Sequence, residues 1–166
     1  MKLSAQEEYG VRCLLRIARA GEAGSRTIPE ISQAERISEA YAAKLLRLLR
    51  RGGFVQSLRG KVGGYTLSRP PEEIVLGPVL AWLGGRLYES DFCDRYPGEE
   101  MICTHSVDCS IRSVWRVMQV ALDQVLDKIT LKDLVRNEQQ MSSWVTQLVT
   151  LPKSGGGSGP LPKRTM

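Results

Sequence analysis

Three cysteines, Cys93, Cys103 and Cys109, are separated by nine and five residues, and the chain's single histidine, His105, lies between the last two. Thiolates are soft ligands and good nucleophiles, so such a group suits a soft metal centre or reversible thiol oxidation. The spacing is neither the CxxC pairing of a zinc ribbon nor the tight run of a ferredoxin. The flanking Asp91, Asp94, Arg95, Pro97, Gly98 and Glu99 place these cysteines in polar loop rather than on a packed helix face. Three free thiols are the plainer alternative. Cys13 differs: it falls on an apolar helical stripe and reads as a small core residue. No nucleophile, base and orienter stand together, so no enzyme and no small-molecule substrate are expected. Gly60-Lys61-Val62-Gly63-Gly64 lacks the spacing that cradles phosphates in a nucleotide site.

The elements that must position these residues begin with a capping box, Ser4 with Glu7 three positions on, which predicts a helix from about Ala5 to Ala20. Tyr9, Cys13 and Ile17, with Leu14 and Ala18 beside them, form its apolar stripe, and Gly21 ends it. Thr27 and Glu30 repeat the pattern for a short second helix through about Ala34. After a turn at 35–37, Ser38 caps a third helix that runs to Arg51 and stops at Gly52 and Gly53. Its Ala42, Leu45, Leu48 and Leu49 should point inward, leaving Ala40, Lys44, Arg47 and Arg51 outside. Phe54 to Leu58 and Tyr65 to Leu67 read as two strands joined by a glycine-rich loop that carries Arg59 and Lys61.

Helix, short helix, basic amphipathic helix and basic hairpin form the winged helix-turn-helix order. There the second helix of the pair enters the major groove and the wing follows the backbone or the minor groove. The charge agrees. Residues 1–69 hold 13 Lys and Arg against 6 Asp and Glu, a net of +7, whereas residues 70–166 hold 10 against 12, a net of −2. The expected DNA-contacting residues are Ser38 and Tyr41 at the groove-entering end, Lys44, Arg47 and Arg51 along the helix, and Arg59 and Lys61 on the wing.

Further on, Ile74 to Leu76 reads as a short strand, Val79 to Leu83 as a brief helix, and Arg86 to Ser110 as an irregular loop of functional length. Ile111, Trp115, Met118, Leu122, Val125 and Ile129 step by four and three, a heptad seam that Val114, Ala121 and Leu126 widen. One long helix with two apolar faces predicts a homodimer. Thr130 with Asp133 starts a last helix to about Leu148, and a polar, glycine-rich tail follows from Pro152 with nothing to bury.

With 42% hydrophobic and 25% charged residues in 166, the composition is that of a soluble globular chain, not a disordered, collagen-like or disulfide-scaffold one. Apolar runs reach four or five residues, such as Val79 to Leu83, against the roughly 18 needed to span a bilayer. Met1 to Glu8 does not read as an export signal, so a cytoplasmic protein without a disulfide framework and without a membrane partner is expected.

In several segments the chain resembles the winged-helix iron-sulfur transcription regulators of the IscR, NsrR and RirA type. The matching residues are Met1-Lys2-Leu3-Ser4, Ile37-Ser38-Glu39-Ala40-Tyr41, Gly53-Phe54-Val55, the wing Arg59-Gly60-Lys61-Val62-Gly63-Gly64-Tyr65, the cysteine triplet, and Ile129-Thr130-Leu131-Lys132-Asp133-Leu134-Val135. The resemblance covers about residues 1–138. It implies a homodimeric regulator whose affinity for a double-stranded DNA operator depends on an iron-sulfur cluster held by Cys93, Cys103 and Cys109, with [4Fe-4S] favoured over [2Fe-2S]. The chain departs from the family in its longer first cysteine gap and in Arg112, which stands where the IscR branch has a ligand histidine. In other branches an acid on the partner's first helix completes the site, and Glu8 occupies the corresponding position here; His105 is the rival ligand.

The expected fold is thus mainly α with a small β wing. Residues 1–84 form a winged helix-turn-helix domain, 85–110 a cluster-binding loop, 111–150 the dimerisation and C-terminal helices, and 151–166 a disordered tail. Two alternatives use the same residues. One is a metal-free thiol-redox regulator in which Cys103 and Cys109 form a reversible disulfide. The other is a zinc-stabilised interaction module that uses Cys93, Cys103, His105 and Cys109.

Overall fold

The computed structural model describes residues 3–21, 24–58, 60, 63–97, 103, 105 and 107–150, with α8 side chains described through residue 148. The fold is mainly helical with a two-stranded antiparallel wing. Helices α1 (Ala5–Ala18), α2 (Ile28–Glu35) and α3 (Glu39–Arg51) precede strands β1 (Val55–Leu58) and β2 (Gly64–Leu67). Then come α4 (Leu76–Gly84), the one-turn α5 (Phe92–Arg95), the long α6 (Ser110–Leu126), the one-turn α7 (Leu131–Leu134) and α8 (Glu138–Thr150). Among the described residues, no helix is long and apolar enough to cross a membrane.

The caps read from the sequence are formed. Ser4 with Glu7, Thr27 with Glu30 and Thr130 with Asp133 each satisfy two free backbone N–H groups reciprocally, and Ser38 accepts from the Tyr41 N–H at 3.2 Å. In β1 and β2, Val55 pairs with Leu67 and Leu58 with Gly64. Arg26 adds a bridge to Tyr65, which ties the wing to the segment before α2.

Helix α1 is the centre of the packing, touching α2, α3, β2, α4 and α7. Cys13, Leu14 and Ile17 from α1 meet Ile31, then Ala42, Leu45, Leu46 and Leu49 from α3, with Phe54, Val55, Ile74, Val79, Leu83 and Leu131 completing the core. Leu46 rather than Leu48 takes the fourth inward position on α3; Leu48 is half-buried. Gly10 lies against Leu83, where a Cβ would come within 2.6 Å of the leucine's methyl carbon, so a larger residue there would force the Leu83 side chain of α4 to shift.

Three further sequence expectations change. Ile74 to Leu76 is not a strand: Val75 makes a single bridge to Thr130, and α4 begins at Leu76. A short apolar run does not by itself separate strand from buried helix start. The last helix is two, α7 and α8, divided at 135–137. The heptad seam is also split. Ile111, Trp115 and Met118 are exposed, but Leu122 and Val125 are half-buried and Ile129 lies buried beyond the end of α6. Leu122 and Leu126 line a cleft with Leu80 and Ala81 of α4, so the C-terminal part of α6 packs on its own protomer. The tail from residue 151 lies outside the described residues.

Candidate nucleic-acid interface and the cysteine segment

The α3 leucines lock one face of that helix into the core, and this leaves Lys44, Arg47, Arg50 and Arg51 exposed on the rest of its surface. Among the described residues none of these four cations is in a salt bridge; Arg50 donates to the Ser57 hydroxyl of β1 at 3.3 Å. The face is therefore positive, and no salt bridge among the described residues neutralises it. Ser38 uses its hydroxyl on the helix cap. Tyr41 is half-buried, its ring edge-on to Tyr9 with centroids 6.1 Å apart. Arg59 and Lys61 lie outside the described residues.

Helices α1 and α2 are tied together by an acid that the sequence reading missed. Glu35, the last residue of α2, is buried, and accepts from the Arg12 Nε at 2.6 Å and from the Arg16 Nε through its other oxygen. Burial pushes the Glu35 carboxyl up, but the hydrogen bonds and charges of Arg16 and Arg12 outweigh it and hold the group below the usual carboxylate range. The Arg12 guanidinium also lies over the Tyr9 ring, 5.2 Å from its centroid, so one arginine links Glu35 of α2 to the tyrosine that meets α3. Two arginines one turn apart on α1 were the available signal. They did not name their partner.

The structure does not bring the expected ligand set together. Cys93 Sγ lies 3.7 Å from the hydroxyl of Tyr88, which is buried. Cys109 is the N-cap of α6, its sulfur accepting the Arg112 N–H at 3.4 Å. Cys103 is half-buried, and His105 is exposed, its carbonyl accepting from Arg112 at 2.9 Å. Glu8 is exposed on α1 with its carboxylate 3.8 Å from Arg12. Among the described residues, which include all five, no group of three or more His, Cys, Asp or Glu could hold a metal ion.

The expectation of a [4Fe-4S] or [2Fe-2S] centre on Cys93, Cys103, Cys109 and Glu8 is thereby corrected: the thiols and the acid serve separate local structures instead of converging. The Cys93, Cys103, His105 and Cys109 zinc site fails on the same observation.

The family model described as "Iron-dependent Transcriptional regulator", Rrf2, matches residues 3–137. The protein rrf2 of Nitratidesulfovibrio vulgaris is 35% identical over 137 residues, 82% of this chain and 89% of that protein. The solved structure of CymR, described as the global cysteine regulator of B. subtilis, is 29% identical with a TM-score of 0.64, covering 81% of this chain and 96% of that one. The oxidized form of Staphylococcus aureus CymR is 28% identical with a TM-score of 0.63, covering 82% and 98%. The family model spans most of the chain, and a relative 35% identical is covered over most of its own length, so the chain belongs to the Rrf2 family of winged-helix transcriptional regulators, which are not enzymes.

Proposed function

We propose that this chain is a homodimeric transcription regulator that binds double-stranded DNA through α3 and the wing. The observation that carries this is the exposed row Lys44, Arg47 and Arg51, cations with no salt bridge among the described residues, on a helix whose opposite face is fixed in the core. Residues 1–84 form the DNA-binding unit. The exposed apolar side of α6 at Ile111, Val114, Trp115, Val117 and Met118 supports dimerisation through 111–150. The test is binding to labelled duplex over a salt series. Lys44→Ala, Arg47→Ala, Arg51→Ala, Arg59→Ala and Lys61→Ala should each flatten the log-log salt slope by about 0.9 for a lost phosphate contact. Wild-type slopes in all five would refute the assignment.

The segment 85–110 supplies the input as a metal-free thiol switch. The free, half-buried thiols favour it, as does the likeness to a cysteine regulator whose relative was solved in an oxidized form. Cys103 and Cys109 each give up a proton and an electron to a two-electron oxidant such as hydrogen peroxide, forming one S–S bond and releasing two waters. Peptide mapping after peroxide treatment should find a Cys103–Cys109 disulfide that dithiothreitol reverses, with operator affinity changing in step. Oxidised protein lacking that bond would sink the switch.

A further inference from the structure

Arg36 is the only non-glycine residue with a positive φ among the described residues, at φ 53° and ψ 46°. That is the left-handed region, where a Cβ crowds the following carbonyl and glycine or asparagine is the usual occupant. The turn around it is fixed by other residues. Glu35 is held by Arg12 and Arg16, the Arg36 N–H donates to the Ser32 carbonyl, and the Ser32 hydroxyl donates to the Ile37 carbonyl at 2.6 Å. Nothing in this network uses the Arg36 side chain, which is exposed and makes no salt bridge or hydrogen bond among the described residues. A residue kept in a strained conformation by its surroundings points to a role for its side chain.

Two residues further on, Ser38 caps α3. Arg36 therefore stands in the turn between the end of α2 and the end of α3 that carries Ser38 and Tyr41. Arg12 and Arg16, the other arginines at this turn, are engaged with Glu35, so Arg36 is the one left to meet an external anion. A guanidinium presents a planar fork of donors that matches phosphate oxygens. We propose that Arg36 is a phosphodiester contact of duplex DNA, holding the backbone beside the groove that α3 enters. This rests on the DNA-binding function proposed above.

The experiment compares wild type, Arg36→Gly and Arg36→Lys on a labelled random-sequence duplex of about 30 base pairs, from about 50 to about 200 mM salt, with melting of each protein alongside. Glycine removes the strain and the cation together, so Arg36→Gly should melt at or above wild type yet bind more weakly. Its salt slope should be flatter by about 0.9, which shrinks the wild-type advantage about 3.5-fold across that range. Arg36→Lys keeps the charge and should retain the wild-type slope. An Arg36→Gly protein with wild-type affinity and slope overturns the proposal while leaving the DNA-binding function intact. A folded wild type that binds no duplex at the lowest salt overturns both.

Discussion

The indole Nε1 of Trp82 on α4 donates to the main-chain carbonyl of Leu48 on α3 at 2.8 Å. The same carbonyl accepts the Gly52 N–H at 3.0 Å, so α4 holds the final turn of the basic helix. Gly52 lies under the indole: a Cβ there would come within 2.7 Å of Trp82 Cδ1 and Nε1 and of Phe54 Cε2. Trp82→Phe keeps a ring but removes the donor, and should lower stability by about 1 kcal/mol, read by urea denaturation. Gly52→Ala should cost more, because both rings must move. A Trp82→Phe protein as stable as wild type would mean the bond does not hold α4 on α3.

The Glu35 pair predicts an acid sensitivity of known sign. Its carboxyl is held below its unfolded value, so its stabilisation is complete above that value, roughly pH 4.3, and is lost as pH falls through the lower folded one. Glu35→Gln should remove that loss. At neutral pH the substitution should cost about 1–3 kcal/mol, less than a fully buried pair because Arg12 and Arg16 stay substantially exposed. Glu30 and Asp133 are lowered too, Glu30 by the Thr27 backbone N–H and Asp133 by Thr130 bonds that outweigh its burial. The difference between wild type and Glu35→Gln, measured near pH 7 and near pH 3.5, isolates the pair. Equal differences at both values would remove Glu35 as the titrating group.

Local rules made the helix-turn-helix legible. The caps at Ser4, Thr27, Ser38 and Thr130 depend on residues three positions apart, and the wing on glycines between two short apolar runs, so both stand in the sequence as written. Glu35 does not, because Arg12 and Arg16 lie 23 and 19 residues before it and only the crossing of α1 with α2 joins them. Arg36 reads as an ordinary turn cation until its φ is known. Periodicity named the apolar residues of α6 but not which surface each one meets: Leu122 and Val125 share one heptad series with the exposed Ile111, Trp115 and Met118, yet are half-buried in their own protomer. For the cysteines, intervals of nine and five residues set no distance in space, and the resemblance supplied a convergence that the fold does not make.

Dimerisation can be separated from protomer folding along α6. Val114 and Met118, one turn apart, are 54% and 42% exposed, whereas Leu122 lines the cleft against α4. An unpaired charge buried at an interface costs roughly 3–5 kcal/mol, which weakens association a hundred-fold or more. The double variant Val114→Asp/Met118→Asp should sediment as a monomer with wild-type helicity and bind duplex more weakly. Leu122→Asp should instead lower the melting temperature of the protomer. A double variant that remains a dimer would move the interface off this side of α6.

The four cysteines should differ sharply in reactivity. Cys13 is fully buried among Leu14, Ile17 and the α3 leucines. Burial first, and then the nearby Glu35 charge, push its thiol up to about 12, with Arg12 opposing. The thiolate is the nucleophile, so Cys13 is inert at neutral pH by both charge and access. A thiol raised this far contributes stability that is complete below its unfolded value of roughly 8.5 and is lost as pH rises towards 12. Native protein treated with a maleimide near pH 7.5 should therefore gain three labels, on Cys93, Cys103 and Cys109, and a fourth only in denaturant. Cys13→Ala should keep the peroxide response of DNA binding, and Cys103→Ala should lose it. Labelling of Cys13 in the native protein, or a response that survives Cys103→Ala but not Cys13→Ala, would place the sensing thiol inside α1 and overturn the assignment to the 85–110 segment.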